Sequence, residues 1–409
     1  MKQTLITHIG KLIGITDKPR LCGMEMADIN GLDNAYLLIE DGKIAQYGTM
    51  DKAPEHADTI IDAKGGILMP SYCDSHTHIV YAGTRDQEFL DKLHGLSYEE
   101  IAKRGGGILN SAQRLHETDE MALYEQSAMR LEEVMRTGTG TIEIKSGYGL
   151  TLEDELKMLR VIRRLKESYP TLIKSTLLGA HAVPKEYKGR QDDYVTLVCE
   201  QMIPAAAHEG LADFIDVFCD EGFFTVTDTD RILTAAAKYG LRPKIHANEL
   251  ANSGGVQIGI KHNALSVDHL ERAEIPEVQA LLASTTMPTG LPGASFFLNI
   301  PYAPTRQMVN AGLSVAIASD YNPGSSPCGD MRFIMALACI YMRLLPEEAF
   351  NAVTINGAYA MDAHQETGSI AIGKRANLIL TKPVPSVAFI PYAHHTPYIE
   401  KIFLNGKEI

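Results

Sequence analysis

Apolar positions along the chain fall into three regimes. Up to about residue 68 they form short alternating runs separated by turns. Residues 35–40 and 43–48 flank Asp41-Gly42, and Asp-Gly between two such runs predicts a β-hairpin. The last stretch is similar: a run at 377–380, then one at 399–404 leading into a turn at Asn405-Gly406. The middle alternates instead. Apolar runs at 68–78, 139–145, 175–181, 214–220, 243–248, 264–269, 285–291 and 314–320 read as strands. Most are separated by segments with helical spacing, as at 152–167, 228–238 and 347–360. Ser97-Tyr98-Glu99-Glu100 has the Ser-x-x-Glu form of a helix capping box. About eight strand–helix units predict an α/β fold with a parallel sheet and helical crossovers. Closed on itself, the sheet is a (β/α)8 TIM-like barrel, which takes about 250 residues. An open doubly wound sheet is the alternative, but its Gly-x-Gly-x-x-Gly after the first strand is missing. The expected organisation is a barrel over 69–360 and a small β-rich domain composed of 1–68 and 361–409.

In such barrels chemistry sits at the C-terminal ends of the strands. The predicted ends carry His76 and His78, then Glu143, Lys145 and Tyr148, then His181. Further ends carry Asp220 and Glu221, His246 and Glu249, and Asp268 and His269, and the last carries Asp320, Asn322, Gly324 and Ser325. Five of the 14 histidines therefore fall on one rim. A lone histidine there is more often a packed core residue, and five together argue against that reading. His76 and His78 share one face of an extended chain. Read alone they are either a metal half-site or two loop histidines. Zinc or iron accepts imidazole and carboxylate ligands and keeps a position for water. His76, His78 and His246 can supply nitrogen and Asp320 oxygen, although Asp320 by itself could be a simple turn residue.

Composition narrows the partners. A net charge of -13 over 409 residues argues against nucleic acid. Six scattered cysteines without a C-x-x-C pair suit a reducing compartment. The first residues lack the apolar core of a signal peptide, and no apolar run is long enough to span a bilayer. A soluble cytoplasmic protein acting on a small molecule is expected.

The His-x-His of the first barrel strand, the later histidines and Asp320 resemble the metal and catalytic pattern of the amidohydrolase superfamily. The similarity extends to Arg85 with Phe89, to Ser97-Tyr98-Glu99-Glu100-Ile101-Ala102 and to Gly105-Gly106-Gly107-Ile108. It continues through 143–149, 178–184, 267–271 and 319–324. Together these resemble the branch that opens the ring of 4-imidazolone-5-propanoate to N-formimino-L-glutamate in histidine degradation. The resemblance implies attack of metal-bound hydroxide on the lactam carbonyl. It implies one divalent or trivalent metal per chain, zinc or iron, held by His76, His78, His246 and Asp320. The 214–220 strand lacks the lysine with which two-metal members bridge their ions. His181 would hold the carbonyl oxygen, and Glu249 a ring N–H and the proton of the leaving nitrogen. His269 and Asp320 would act as acid and base on the water. Arg85 would bind the substrate carboxylate, helped by Tyr98, Tyr148, Asn322, Gly324 and Ser325. A homodimer is expected. Ser319 replaces an expected threonine, and Asn248 an expected acidic residue. Two rival readings stand at this point. A ring aminohydrolase would share His246-x-x-Glu249 without needing Arg85, and a non-catalytic barrel could keep a purely structural metal.

Overall fold

The computed structural model describes residues 3–96 and 106–409. The predicted capping box at Ser97 and the candidate Tyr98 lie outside the described residues. The chain opens with strands β1 (Gln3–Ile13), β2 (Gly31–Glu40), β3 (Lys43–Thr49), β4 (Thr59–Asp62) and β5 (Ile67–Pro70). The barrel strands follow: β6 (Tyr72–Asp74), β7 (Thr139–Lys145), β8 (Leu172–Ala180), β9 (Phe214–Cys219), β10 (Arg242–Ala247), β11 (Ser266–His269), β12 (Met287–Gly290) and β13 (Ala316–Ile317). The chain then returns with β14 (Leu378–Thr381), β15 (Ile399–Leu404) and β16 (Lys407–Glu408). The terminal sheet runs β16-β15-β14-β5-β1-β2-β3, with β4 beside β1, and so interleaves strands from both ends of the chain. The expected barrel with a β-rich unit from both termini is what forms.

The hairpin expected at Asp41-Gly42 joins β2 to β3, pairing Glu40 with Lys43. Both turn residues take left-handed φ, 46° and 81°, as a two-residue turn matched to strand twist requires. Asn405 and Gly406 repeat this between β15 and β16, with φ of 48° and 71°. The run 68–78 divides into two strands. The amide of Ser71 bonds Asn377 O in the terminal sheet, and the next amide, Tyr72, bonds Gly138 O in the barrel. The chain therefore passes from one sheet to the other within one residue. The helix expected at 347–360 is two helices, Pro346–Ala352 and Ile355–Ala360. The carbonyl of Val353, between them, accepts from Cys73 N at 2.8 Å, so a barrel strand takes the group that a continuous helix would use. The helix Leu152–Ser168 forms as expected, with the Thr151 hydroxyl accepting from Asp154 N.

Neighbouring barrel strands are parallel from β6 to β13. The first and last meet through their extensions, where Asp320 N donates to His76 O at 3.0 Å and His78 N to Tyr321 O at 2.9 Å. Alternation sends Ile142, Ile144, Ile215, Val217, Ile245 and Val267 into the main apolar core. The residues between them, Glu143, Lys145, Asp216, Lys244, His246 and Asp268, are buried and pair with one another.

Asn356 ties the N-terminal segment to the barrel. Its side chain accepts from Leu21 N at 2.9 Å and donates to Leu21 O and Val315 O, both at 3.0 Å. Asn356→Ala would leave these buried backbone groups without partners and is expected to cost about 3 kcal/mol, read as a lower midpoint in denaturant unfolding.

Candidate active site

Several backbone positions at the C-terminal rim are left-handed, Leu270 among them with φ of 71°. Asn248, His269 and Asp320 have φ of 55°, 81° and 54°, a region L-residues other than asparagine and aspartate seldom occupy. Asparagine at 248 suits this conformation, and its carbonyl accepts from Arg272 N at 2.8 Å. At 319 the serine supplies a hydroxyl. Ser319 Oγ and N donate to the two oxygens of Asp74 at 2.5 and 2.9 Å, linking the strand ends that carry His76 and Asp320. Burial lifts the Asp74 carboxyl to about 7.

His76, His78, His246 and Asp320 converge, all buried. Nε2 of His78 lies 3.2 Å from Nε2 of His76 and 3.4 Å from Nε2 of His246. Oδ1 of Asp320 is 3.5 Å from Nε2 of both His76 and His78. The opposite nitrogens face carboxylates: His76 Nδ1 is 2.6 Å from Asp268 Oδ2, and His246 Nδ1 is 3.0 Å from Asp216 Oδ2. The His76 Nδ1 therefore carries its ring proton and turns the Nε2 lone pair toward those of Asp320 Oδ1. Burial, and the cation of Lys145, hold the His76 pKa well below the usual histidine range. Burial, with the neighbouring His181, does the same for His78. Facing lone pairs repel unless a cation stands between them. Donors about 2.1 Å from a tetrahedral ion stand about 3.4 Å apart, which is the spacing found. Burial also raises the pKa of Asp320, so its carboxylate gains from the same cation. The residues fit a divalent metal.

Below them lies a paired charge network. Lys145 Nζ is 2.6 Å from Glu143 Oε1 and 2.8 Å from Asp216 Oδ2. Lys244 pairs with the other oxygen of Glu143 and donates to Ser75 O at 2.9 Å and Ala360 O at 3.1 Å. The carboxylates that orient two metal-facing histidines are thus held by buried lysines, the outer partners that fix imidazole tautomers in metal sites. Sequence reading placed Asp268 on the rim but passed over Asp216, whose signal is its inward register on β9, opposite Lys244 on β10.

Above the cluster opens a cavity of about 640 Å³ lined by His181, Glu249, His269 and the other rim residues. His181 stacks on His78 with ring centres 5.4 Å apart, and its Nδ1 donates to Gly147 O at 2.9 Å. Burial lowers its pKa to about 3. Its Nε2 is therefore an unprotonated acceptor. Tyr148 lies beside it, ring centres 5.4 Å apart. His269 Nε2 is 3.6 Å from Glu249 Oε2, and its Nδ1 is 3.6 Å from Glu271 Oε1. Burial opposes a charged ring at His269, yet Glu249, Glu271 and Asp320 outweigh it and raise its pKa well above the usual range. Burial also raises the Glu249 carboxyl to about 7.

Arg85 and the loop after Asp320 line the same cavity. Arg85 Nε and Nη2 donate to Glu88 Oε2 at 2.8 and 2.6 Å. A Cβ added at Gly324 would overlap the Arg85 guanidinium, so the absence of a side chain at 324 is what lets the cation lie there. Asn322 shapes the loop: its Oδ1 accepts from Gly324 N and Ser325 N, both at 2.8 Å, and its Nδ2 donates to Asp320 O at 2.7 Å. The structure thus brings together every candidate site residue except Tyr98, which is outside the described residues. Lys92 also lines the cavity and was missed from sequence. Its signal is its place seven residues after Arg85, two helical turns on.

A parallel barrel whose mouth gathers neutral imidazoles and a carboxylate around a cation position, under a cavity for a small molecule, defines the class: a metal-dependent hydrolase. The profile of the Amidohydrolase family matches residues 67–409. Imidazolonepropionase of Christiangramia forsetii is 53% identical over 408 residues, covering 99% of each chain. Among solved structures, a triazine hydrolase variant aligns with a TM-score of 0.76 at 15% identity, covering 100% of this chain and 94% of its own. An adenosine deaminase from Xanthomonas campestris with bound zinc aligns at 0.72 and 14% identity, covering 100% and 92%. The chain belongs to the amidohydrolase family and, within it, to the imidazolonepropionases.

Asp268→Asn keeps a hydrogen-bond acceptor for His76 Nδ1 but removes the charge. It is expected to weaken metal binding about 10-fold or more, measured by competition with a chelator.

Proposed function

We propose that the chain hydrolyses 4-imidazolone-5-propanoate to N-formimino-L-glutamate in histidine degradation, using one zinc or iron ion held by His76, His78, His246 and Asp320. The name of the 53% identical relative supports this substrate. One observation carries the reading: a single cavity is lined both by residues of a metal-ligand cluster and by the Arg85 side chain. A substrate for it joins a hydrolysable ring to an anion. Neither Lys145 nor Lys244 is free to bridge a second ion, since buried carboxylates hold both. The six cysteines are unpaired, and no helix among the described residues is long and apolar enough to cross a membrane; both accord with the proposed cytoplasmic setting.

An ion held by His76, His78, His246 and Asp320 would supply Lewis acidity toward the lactam carbonyl and the attacking water. Asp320 accepts the proton of the attacking water. A new C–O bond forms at the carbonyl carbon, the C–N bond of the ring breaks, and the departing nitrogen takes a proton. Glu249, with a pKa near neutrality, suits the transfer of that proton, and His269 stands 3.6 Å away to share it. The Nε2 of His181 accepts, so it suits a ring N–H better than the carbonyl oxygen assigned to it from resemblance alone. Arg85 offers its remaining N–H groups to the propanoate carboxylate. Asn322 and Ser325 hold the loop that carries Gly324 beneath it.

The reading is tested by following loss of imidazolone propionate absorbance beside a panel of nucleobases. Turnover of the imidazolone alone is expected, and ammonia release from a nucleobase instead would sink the proposal. Glu249→Gln is expected to lower kcat by about 10² to 10⁴. Gly324→Ala, which displaces Arg85, should raise KM about 10-fold or more with a smaller change in kcat; an unchanged KM would remove Arg85 from the carboxylate site.

A further inference from the structure

We propose that Lys92 is a second cation beside Arg85, and that it, rather than Arg85 alone, selects an anionic side chain. The inference rests on the imidazolone propionate reading. Glu88 already compensates Arg85 through Oε2. Its Oε1 accepts from Gly107 N at 2.9 Å and Asn110 Nδ2 at 3.3 Å. Burial works against the charge on Glu88, but Arg85 and these donors hold its carboxyl below the usual glutamate range. Arg85 and Glu88 therefore sum to zero. Lys92 lies on the helix Asp86–Leu93, one turn beyond Glu88, and lines the same cavity.

Lys92 has the surroundings of a binding group. It is half-buried, and among the described residues no carboxylate lies within 4 Å of its ammonium. Its polar contact there is Gly324 O at 3.4 Å, and its Nζ stands 5.3 Å from the centre of the Phe297 ring. Phe297 in turn stacks on Phe89, ring centres 5.4 Å apart. An aromatic face attracts a cation without neutralising it. Burial and the nearby Arg85 lower the Lys92 pKa, a cost that an incoming carboxylate offsets. Arg85 packs on Gly324 and Lys92 reaches its carbonyl, so both cations border one residue. The oxygens of one carboxylate can face a guanidinium N–H and the ammonium together. Among the described residues, Arg85, Glu88 and Lys92 sum to one positive charge, equal and opposite to the propanoate.

The test compares Lys92→Met and Lys92→Arg with the wild-type holoenzyme on imidazolone propionate and on its propanamide counterpart, which lacks the charge. Lys92→Met is expected to raise KM for the acid about 10- to 100-fold with kcat changed less than about threefold. Its kcat/KM for the amide should not change, so the acid-to-amide preference falls by the same factor. Lys92→Arg should restore most of that preference. An equal loss on acid and amide would make Lys92 a packing residue, and no loss on either would make it a solvated surface charge; both overturn the proposal. A wild-type enzyme inactive on imidazolone propionate would instead overturn the functional reading, and this proposal with it.

Discussion

The seam of the barrel is the constraint on which the site depends. Eight parallel strands leave two edges that must meet, and here they meet through the backbone bonds of Asp320 to His76 and of His78 to Tyr321. The segments that close the barrel are those that carry three of the four metal-facing side chains. Ligand geometry is therefore set by sheet closure rather than by a loop. Asp74 and Ser319 reinforce the seam one step below. The left-handed backbone at Asp320 is sustained because hydrogen bonds on both sides over-determine it.

The barrel interior carries a second constraint. Strand alternation commits the outward residues to the helices, and the inward residues of β7, β9, β10 and β11 are charged. Such groups tolerate burial only when paired. Two lysines and three carboxylates pair with one another, one of the carboxylates also takes the Nδ1 proton of His76, and another faces His246 Nδ1 at 3.0 Å. The pairing need not add much stability, since buried ion pairs are weak evidence for it. Its consequence is directional: the His76 imidazole is locked with its Nε2 lone pair toward Asp320.

The loop after Asp320 joins the metal-facing cluster to the surface beside Arg85. Asn322 caps it from within, bonding back to the carbonyl of Asp320 and forward to the amides of Gly324 and Ser325. One short stretch therefore sets both the carboxylate ligand and the surface on which Arg85 rests.

Much of this was legible in the sequence because it is encoded locally. Asp41-Gly42 selects its turn through the φ values its residues tolerate. The 139–145 run and the 152–167 spacing specify strand and helix through side-chain period. His76 and His78 share a face because extended chain alternates. What stayed hidden depends on register between distant segments. Whether residue 71 or 72 leaves one sheet for the other is decided by which carbonyls lie opposite, at Asn377 and Gly138. The break after residue 352 arises because a strand amide 280 residues earlier claims the Val353 carbonyl. Asp216 becomes a histidine partner only when β9 lies beside β10, and Lys92 joins the site only when its helix packs over the loop at Gly324. The sequence by itself determined the elements, the fold class and the chemistry at the strand ends, since these follow from local dihedral preference and periodicity. Tertiary structure alone decided which carboxylate faces which imidazole and which carbonyl each cation reaches, since those are contacts between segments distant in sequence.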